Sequence, residues 1–123
     1  INNNIPEDLI FNGDDFYLIS LFQNLLDNAQ KYSPDGSEIN IYSENHPNKI
    51  ILCVSDQGVG VADPEKSKIF DRFYRTEDEE TRSSKGTGLG LFLVDQIVRM
   101  HGGKIICKNN TPKGSIFELQ FKK

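Results

Sequence analysis

The stretch Leu21-Phe22-Gln23-Asn24-Leu25-Leu26-Asp27-Asn28-Ala29-Gln30-Lys31-Tyr32 constrains this chain most, because its polarity fits a two-sided helix. At about 100° per residue, Leu18, Leu21, Phe22, Leu25, Leu26, Ala29 and Tyr32 gather on one broad arc, wide enough to face a core. Ser20, Gln23, Asp27 and Gln30 fall on the far side and suit solvent. Asn24, Asn28 and Lys31 belong to neither group and form a narrow polar stripe on the shoulder of the core arc. Asn competes for backbone hydrogen bonds and is a mediocre helix former, so two of them one turn apart beside a Lys call for a reason. One reading is chance polarity at the edge of a buried face. The other is an anion and metal site, in which neutral amide oxygens hold a cation and the Lys ammonium meets a phosphate.

At 123 residues the chain fits one domain with a single core. Its 37% hydrophobic and 26% charged residues describe a soluble globular protein. A net charge of −4 argues against a nucleic-acid binder but not against a triphosphate, since distant charges are screened and local cations decide. No apolar run approaches the length needed to span a bilayer, and no secretory signal opens the chain. It starts at Ile1 rather than Met, so a piece of something longer is expected. Cys53 and Cys107 sit in apolar strand-like runs and read as small core residues, with no disulfide framework or metal cluster. The two histidines lack metal-ligand spacing.

Along the chain, Leu9-Ile10-Phe11 reads as an edge strand and Asn12-Gly13-Asp14-Asp15 as a turn and helix cap. The first helix is expected over Asp15 to Tyr32, stopped by Ser33-Pro34-Asp35-Gly36. Ile39, Ile41 and Ser43 alternate with polar residues as a half-buried strand. Asn45-His46-Pro47-Asn48 turns the chain into a more buried strand, Lys49 to Ser55. His46 is then an exposed loop residue. Asp56-Gln57-Gly58-Val59-Gly60-Val61 follows as a strand-end loop whose two glycines permit close approach of a ligand. Pro64 to Lys68 reads as a short helix. Thr76 to Lys85 contains no large apolar residue and reads as a mobile loop.

Gly86-Thr87-Gly88-Leu89-Gly90-Leu91 opens a second helix running to Met100, and glycine-rich backbone at a helix N-terminus suits phosphate. A dinucleotide fingerprint does not fit, because its G-x-G-x-x-G follows a strand directly, and a P-loop would need Lys-Ser/Thr after the glycines. His101-Gly102-Gly103 closes the helix, with His101 a helix-end residue and the glycines its C-cap. Lys104 to Asn110 and Ser115 to Phe121 form a closing hairpin across Thr111-Pro112-Lys113-Gly114.

Four spaced signals in one order are far more specific than any alone. Asn24-x-x-x-Asn28-x-x-Lys31-Tyr32, Asp56-x-Gly58-x-Gly60, Phe70-x-x-Phe73 and Gly86-x-Gly88-x-Gly90 resemble the N, G1, F and G2 boxes of the ATP-binding catalytic domain of sensor histidine kinases, in the GHKL (Bergerat-fold) superfamily. The resemblance covers nearly the whole chain. It implies an α+β class, a two-layer α/β sandwich with a mixed sheet of about five strands covered on one face by about three helices. It also implies a single domain over 1–123 with a mobile ATP lid at about 63–87.

The resemblance assigns roles residue by residue. Asp56 accepts a hydrogen bond from the adenine amino group, while Gly58 and Gly60 let the loop approach the base. Guanine offers an oxygen there, so ATP is expected over GTP. Asn28 is the magnesium ligand, and Asn24 supports the phosphates or the metal's waters. Lys31 and Tyr32 contact phosphates and the ribose or base edge. Arg75 and Lys85 are candidates for the γ-phosphate, with Arg72 and Arg82 weaker ones. Asn24, Lys31 and Arg75 form the catalytic set. Val61, Ile69, Phe70, Gly86, Thr87, Gly88, Leu89, Gly90, Leu91 and Ser115 complete the nucleotide-binding set. Phe70 and Phe73 are core anchors or dock the lid against a separate helical domain.

Related ATPases of the superfamily carry a water-activating Glu where this helix has Asn24, so only slow ATP hydrolysis is expected. The acceptor histidine of the family lies in a helical dimerisation domain, in a setting that neither His46 nor His101 shares. The expected partners are therefore that dimerisation and phosphoacceptor domain of the same parent and a downstream response regulator, with no nucleic acid and no direct membrane contact. The expected cofactors are ATP and Mg2+. The expected location is cytoplasmic, whether or not the parent is membrane-anchored. Two other readings stay open: a nucleotide-binding regulatory module without transfer activity, and an anti-sigma-type Ser/Thr kinase of the same superfamily.

Overall fold

The first helix starts where the sequence places its cap. In the computed structural model, which describes residues 1–6, 13–71 and 90–123, Asp14 is extended and its carboxylate accepts from the Tyr17 N–H at 3.3 Å. Helix α1 then runs over Asp15–Tyr32 and stops at Ser33, which is extended because Pro34 follows it. Five strands form one mixed sheet: β1 (Asn2–Asn3), β2 (Asn40–Asn45), β3 (Lys49–Ser55), β4 (Lys104–Asn109) and β5 (Ser115–Lys122). Their spatial order is β1-β2-β3-β5-β4, with β1 parallel to β2 and every other pair antiparallel. A second helix, α2 (Gly90–Met100), packs beside α1 over the sheet.

Period-two alternation decides which face each strand residue serves. Ile50, Leu52 and Val54 of β3 join Phe117, Leu119 and Phe121 of β5 in the cluster under the helices. From above, α1 supplies Leu21, Leu25 and Ala29, and α2 supplies Val94, Ile97 and Val98. The buried stripe of α1 is narrower than the arc drawn from the sequence. Phe22 and Leu26 are only partly buried, and with Leu18, Ile19 and Ile1 they line an outer groove. The helix rests on the sheet along one line with α2 on one shoulder, so the opposite shoulder faces outward.

Cys53 is buried as the sequence reading expects, on a face that reading did not specify. It is buried, at 3% exposure, but lies outside the cluster under the helices. Register places it in the row Tyr42–Cys53–Glu118–Ile106 on the other face of the sheet. Long neighbours cover it there. Burial alone would raise the Glu118 carboxyl, but bonds from Gln120 (2.7 Å) and Lys108 (3.0 Å) hold it below the usual range. Cys107 turns instead toward the core, opposite Phe117.

Burial pushes the Cys53 thiol up to about 11 and the neighbouring Tyr42 hydroxyl up to about 12. Both groups hold their protons more tightly folded than unfolded. For Cys53 the stabilisation is complete below the ordinary thiol value of 9.0 and is lost as pH rises toward 11, and for Tyr42 the same loss runs from 10.0 toward 12. Urea unfolding of the native chain should therefore show a steeper loss of stability between pH 9 and 11 than Cys53→Val shows. Parallel pH profiles would remove the thiol from the account.

The remaining departures are local. The expected edge strand at Leu9-Ile10-Phe11 lies outside the described residues, and the described edge is Asn2–Asn3. Instead of a helix over Pro64 to Lys68 there is a 3₁₀ turn at Asp63–Glu65. Most bonds here close i to i−3, as in Glu65 N–H to Ala62 O and Lys68 N–H to Glu65 O, so no α-helix propagates. Two α-helices are thus present among the described residues where about three were expected. No helix among the described residues is long and apolar enough to cross a membrane.

The end of α2 matches its sequence signature. Gly102 and Gly103 donate to the carbonyls of Arg99 and Val98, a Schellman closure. His101 ties the two helices together, since its Nδ1–H donates to Ile97 O at 2.8 Å while Nε2 accepts from the Asp14 N–H at 3.1 Å. The imidazole is therefore a structural link between the end of α2 and the start of α1.

Candidate nucleotide site

Asp56 directly follows β3 and is buried, at 4% exposure. Its Oδ1 accepts from the Gly58 N–H at 2.9 Å and the Ser115 N–H at 3.1 Å. Its backbone N–H donates to Ser115 O at 2.9 Å, so the loop is fastened to the start of β5 on two sides. No hydrogen bond among the described residues uses the other carboxylate oxygen, which remains an acceptor. Gly58 is required by close approach: a Cβ there would lie 2.4 Å from Tyr32 O. Gly60 adopts φ +76. The Asp56 loop therefore sits directly on the C-terminal end of α1.

The polar stripe of α1 runs between Gly58 and Gly90. At one end Tyr32 meets Gly58. At the other, Asn24 Oδ1 lies 3.3 Å from where a Cβ on Gly90 would be, beside the first residue of α2. Asn24 and Asn28 are half-buried and Lys31 is exposed. Lys31 Nζ stands 5.1 Å from the Tyr32 ring centroid and forms no ion pair among the described residues. A cavity of about 510 Å³ opens here, lined by Lys31, Tyr32, Ser33, Pro34, Gly58, Val59 and Lys113.

The apolar candidates lie in or against the core. Ile69 is buried, and Val61, Phe70 and Leu91 pack partly buried against the core. The Phe70 ring meets Phe117 edge to face at 6.2 Å, which makes Phe70 a core anchor. The structure thus brings Asn24, Asn28, Lys31, Tyr32, Asp56, Gly58, Gly60, Val61, Ile69, Phe70, Gly90, Leu91 and Ser115 onto neighbouring elements. Arg72, Phe73, Arg75, Arg82, Lys85, Gly86, Thr87, Gly88 and Leu89 lie outside the described residues, as does most of the expected lid.

The donor set fits a nucleotide with a hard cation. The Asn28 carboxamide makes no hydrogen bond among the described residues, and the Asn24 oxygen faces away from its own helix. No cluster of three or more His, Cys, Asp or Glu that could hold a metal exists among the described residues. A cation here would rest on amide oxygens and ligand oxygens, the pattern of Mg2+ held with a nucleotide rather than in an all-protein cage.

Two residues that sequence reasoning passed over support Asp56. Asn110 Nδ2 donates to Asp56 O at 2.8 Å. Gly114, at φ +103, passes so close that a Cβ would fall 2.0 Å from Asp56 O. The sequence read Asn110 only as the end of a hairpin strand and Gly114 only as part of the turn after it. Register alone could have flagged them, since Asn109 pairs with Ser115 and Ser115 contacts Asp56.

Comparison with known proteins identifies the family. Residues 13–123 match the family described as histidine kinase-, DNA gyrase B-, and HSP90-like ATPase. The sensor protein CiaH of Streptococcus pneumoniae is 43% identical over 107 residues, covering 87% of this chain and 24% of that protein. The sensor protein SrrB of Staphylococcus aureus is 40% identical over 100 residues, covering 81% of this chain and 17% of that one. The chain thus spans about a quarter or less of these relatives' length. Among solved structures, the mycobacterial sensor histidine kinase MprB superposes with a TM-score of 0.82 at 29% identity, over 98% of this chain and 79% of that one. The nucleotide-free catalytic domain of histidine kinase ThkA gives 0.83 at 30% identity, over 99% and 80%. The chain belongs to the histidine kinase-, DNA gyrase B- and HSP90-like ATPase family, as an ATP-binding domain of the sensor histidine kinase type.

Proposed function

We propose that this chain binds Mg-ATP and holds the γ-phosphate for transfer to a histidine on a separate helical dimerisation domain of its parent protein, upstream of a response regulator. The observation that carries the reading is the Asp56 carboxylate. One oxygen is fastened by two backbone N–H groups, and the other is left for a donor such as the adenine amine. Val61, Ile69, Phe70 and Leu91 supply apolar contact for the base. Asn28 is the metal ligand, Asn24 faces the phosphate side, and Lys31 and Tyr32 meet the phosphates and the ribose. When bound, magnesium neutralises phosphate charge and orients the phosphate oxygens. Arg75 and Lys85 are assigned to the γ-phosphate, and Gly86, Thr87, Gly88 and Leu89 to phosphate binding. Asn24 lacks a basic electron pair for activating water, so binding and positioning dominate over hydrolysis.

Calorimetric titration with ATP, with and without Mg2+, tests the binding half. Asn28→Ala should lose at least about 10-fold of the magnesium-dependent affinity, the order expected for one bond to a charged group, while keeping its melting temperature. Radiolabelled ATP tests the transfer half. Label should appear on a dimerisation domain supplied in trans and not on His46 or His101 of this chain. Binding without any transfer to that domain would favour a regulatory module instead, and stable label on His46 or His101 would contradict the proposal.

A further inference from the structure

Ser20 stands one turn before Asn24 and falls on the solvent side of the helix by sequence, yet the structure half-buries it. Its position matters on the nucleotide reading given above, on which the following step rests. Asn24 Nδ2 donates to the Ser20 carbonyl oxygen at 2.8 Å and to Ser20 Oγ at 3.4 Å. A carboxamide carries its two N–H hydrogens on one side and its oxygen on the other. With the amine nitrogen within hydrogen-bond distance of both Ser20 oxygens, Oδ1 turns the opposite way, toward Gly90 at the start of α2. The flipped orientation would set Oδ1 against the Ser20 carbonyl, acceptor against acceptor.

We propose that Ser20 is a positioning residue that locks the Asn24 carboxamide with its oxygen, rather than its amine, facing the metal and phosphate side of the site. An unrestrained Asn in this place would sample both orientations. With the amine outward it would offer donors to phosphate oxygens and repel a cation or the waters around it. Locked as it stands, Asn24 presents an acceptor one turn from the Asn28 carboxamide, giving two amide groups on the stripe for a hydrated divalent cation. The carbonyl of Ser20 supplies the shorter bond and the hydroxyl the second. Removing the hydroxyl should therefore weaken the lock without abolishing it.

The test uses a fluorescent ATP analogue and reads the magnesium concentration that gives half-maximal stimulation of its binding. Ser20→Ala should raise that concentration about 3-fold to 10-fold, the loss expected from one neutral hydrogen bond. Affinity in excess EDTA and the melting temperature should stay at wild-type values. Ser20→Thr, which keeps the hydroxyl, should restore the wild-type requirement. Ser20→Cys, similar in shape but a weaker acceptor, should fall between and serves if the alanine variant folds poorly. An unchanged magnesium requirement in Ser20→Ala, or an equal loss of metal-free binding, overturns the positioning role while the nucleotide reading stands. A wild-type chain that binds no Mg-ATP removes both.

Discussion

Replacing Asp56 by Asn is expected to leave a folded chain that has lost at least about 10-fold to 100-fold of its affinity for Mg-ATP and has moved toward GTP. Asn keeps an oxygen in the place of Oδ1, so the Gly58 and Ser115 amides retain their acceptor and the loop its anchor. The second oxygen becomes an amine. Facing the adenine amino group, it sets donor against donor; facing the guanine oxygen, it forms a bond the wild-type carboxylate cannot form. Wild type should therefore prefer ATP strongly, and Asp56→Asn should narrow or invert that preference. Asp56→Ala should do worse, because it also strands two buried backbone donors, each costing about 1–3 kcal/mol. Competition titrations with ATP and GTP, beside melting curves, separate the two effects. Equal affinity of the wild-type chain for both nucleotides would refute the role given to Asp56.

The largest stability effect is expected at a residue with no side chain. Gly114 holds φ +103 and leaves no room for a Cβ, which would overlap Asp56 O at 2.0 Å. Positive φ alone costs a non-glycine residue about 1–3 kcal/mol, and the overlap adds to it because backbone must move. Gly114→Ala should thus destabilise the chain by about 3 kcal/mol or more and displace the Asp56 loop, lowering nucleotide affinity as well. Gly36→Ala is the control. Gly36 has φ +80 with nothing within 4 Å of a Cβ, so only the conformational strain applies. Urea unfolding should rank Gly114→Ala far below Gly36→Ala, whose own loss should stay near 1 kcal/mol, on the order of the strain. Similar losses at both positions would show that the contact with Asp56 carries no weight.

These two cases show which parts of the site were legible beforehand. Asp56, Gly58 and Gly60 stood out because a carboxylate and two glycines at a strand end form a local pattern. Asn24, Asn28 and Lys31 stood out because helical periodicity sets them apart from both the core arc and the solvent face. Gly114 and Asn110 did not, because what makes them matter is a contact with a loop more than fifty residues away in the chain. Ser20 was assigned to solvent because periodicity fixes an angle around the helix and says nothing of what packs there. For the same reason the sequence left the face of Cys53 open. Its apolar strand predicted burial correctly, but only the strand order β2-β3-β5-β4 shows that the face it serves is the one away from the helices.

The sequence by itself determined the two-sided first helix with its cap and stop, the paired strands, the order of the four motifs and hence the family. All of these are encoded by neighbours within a few turns, where period and local hydrogen bonding leave little choice. Tertiary structure alone decided that the Asp56 loop rests on the end of α1, that Asn24 lies against Gly90, and that the turn before β5 fastens Asp56. Those contacts join segments far apart in the chain, and only the packing of helices on the sheet sets the distances between them.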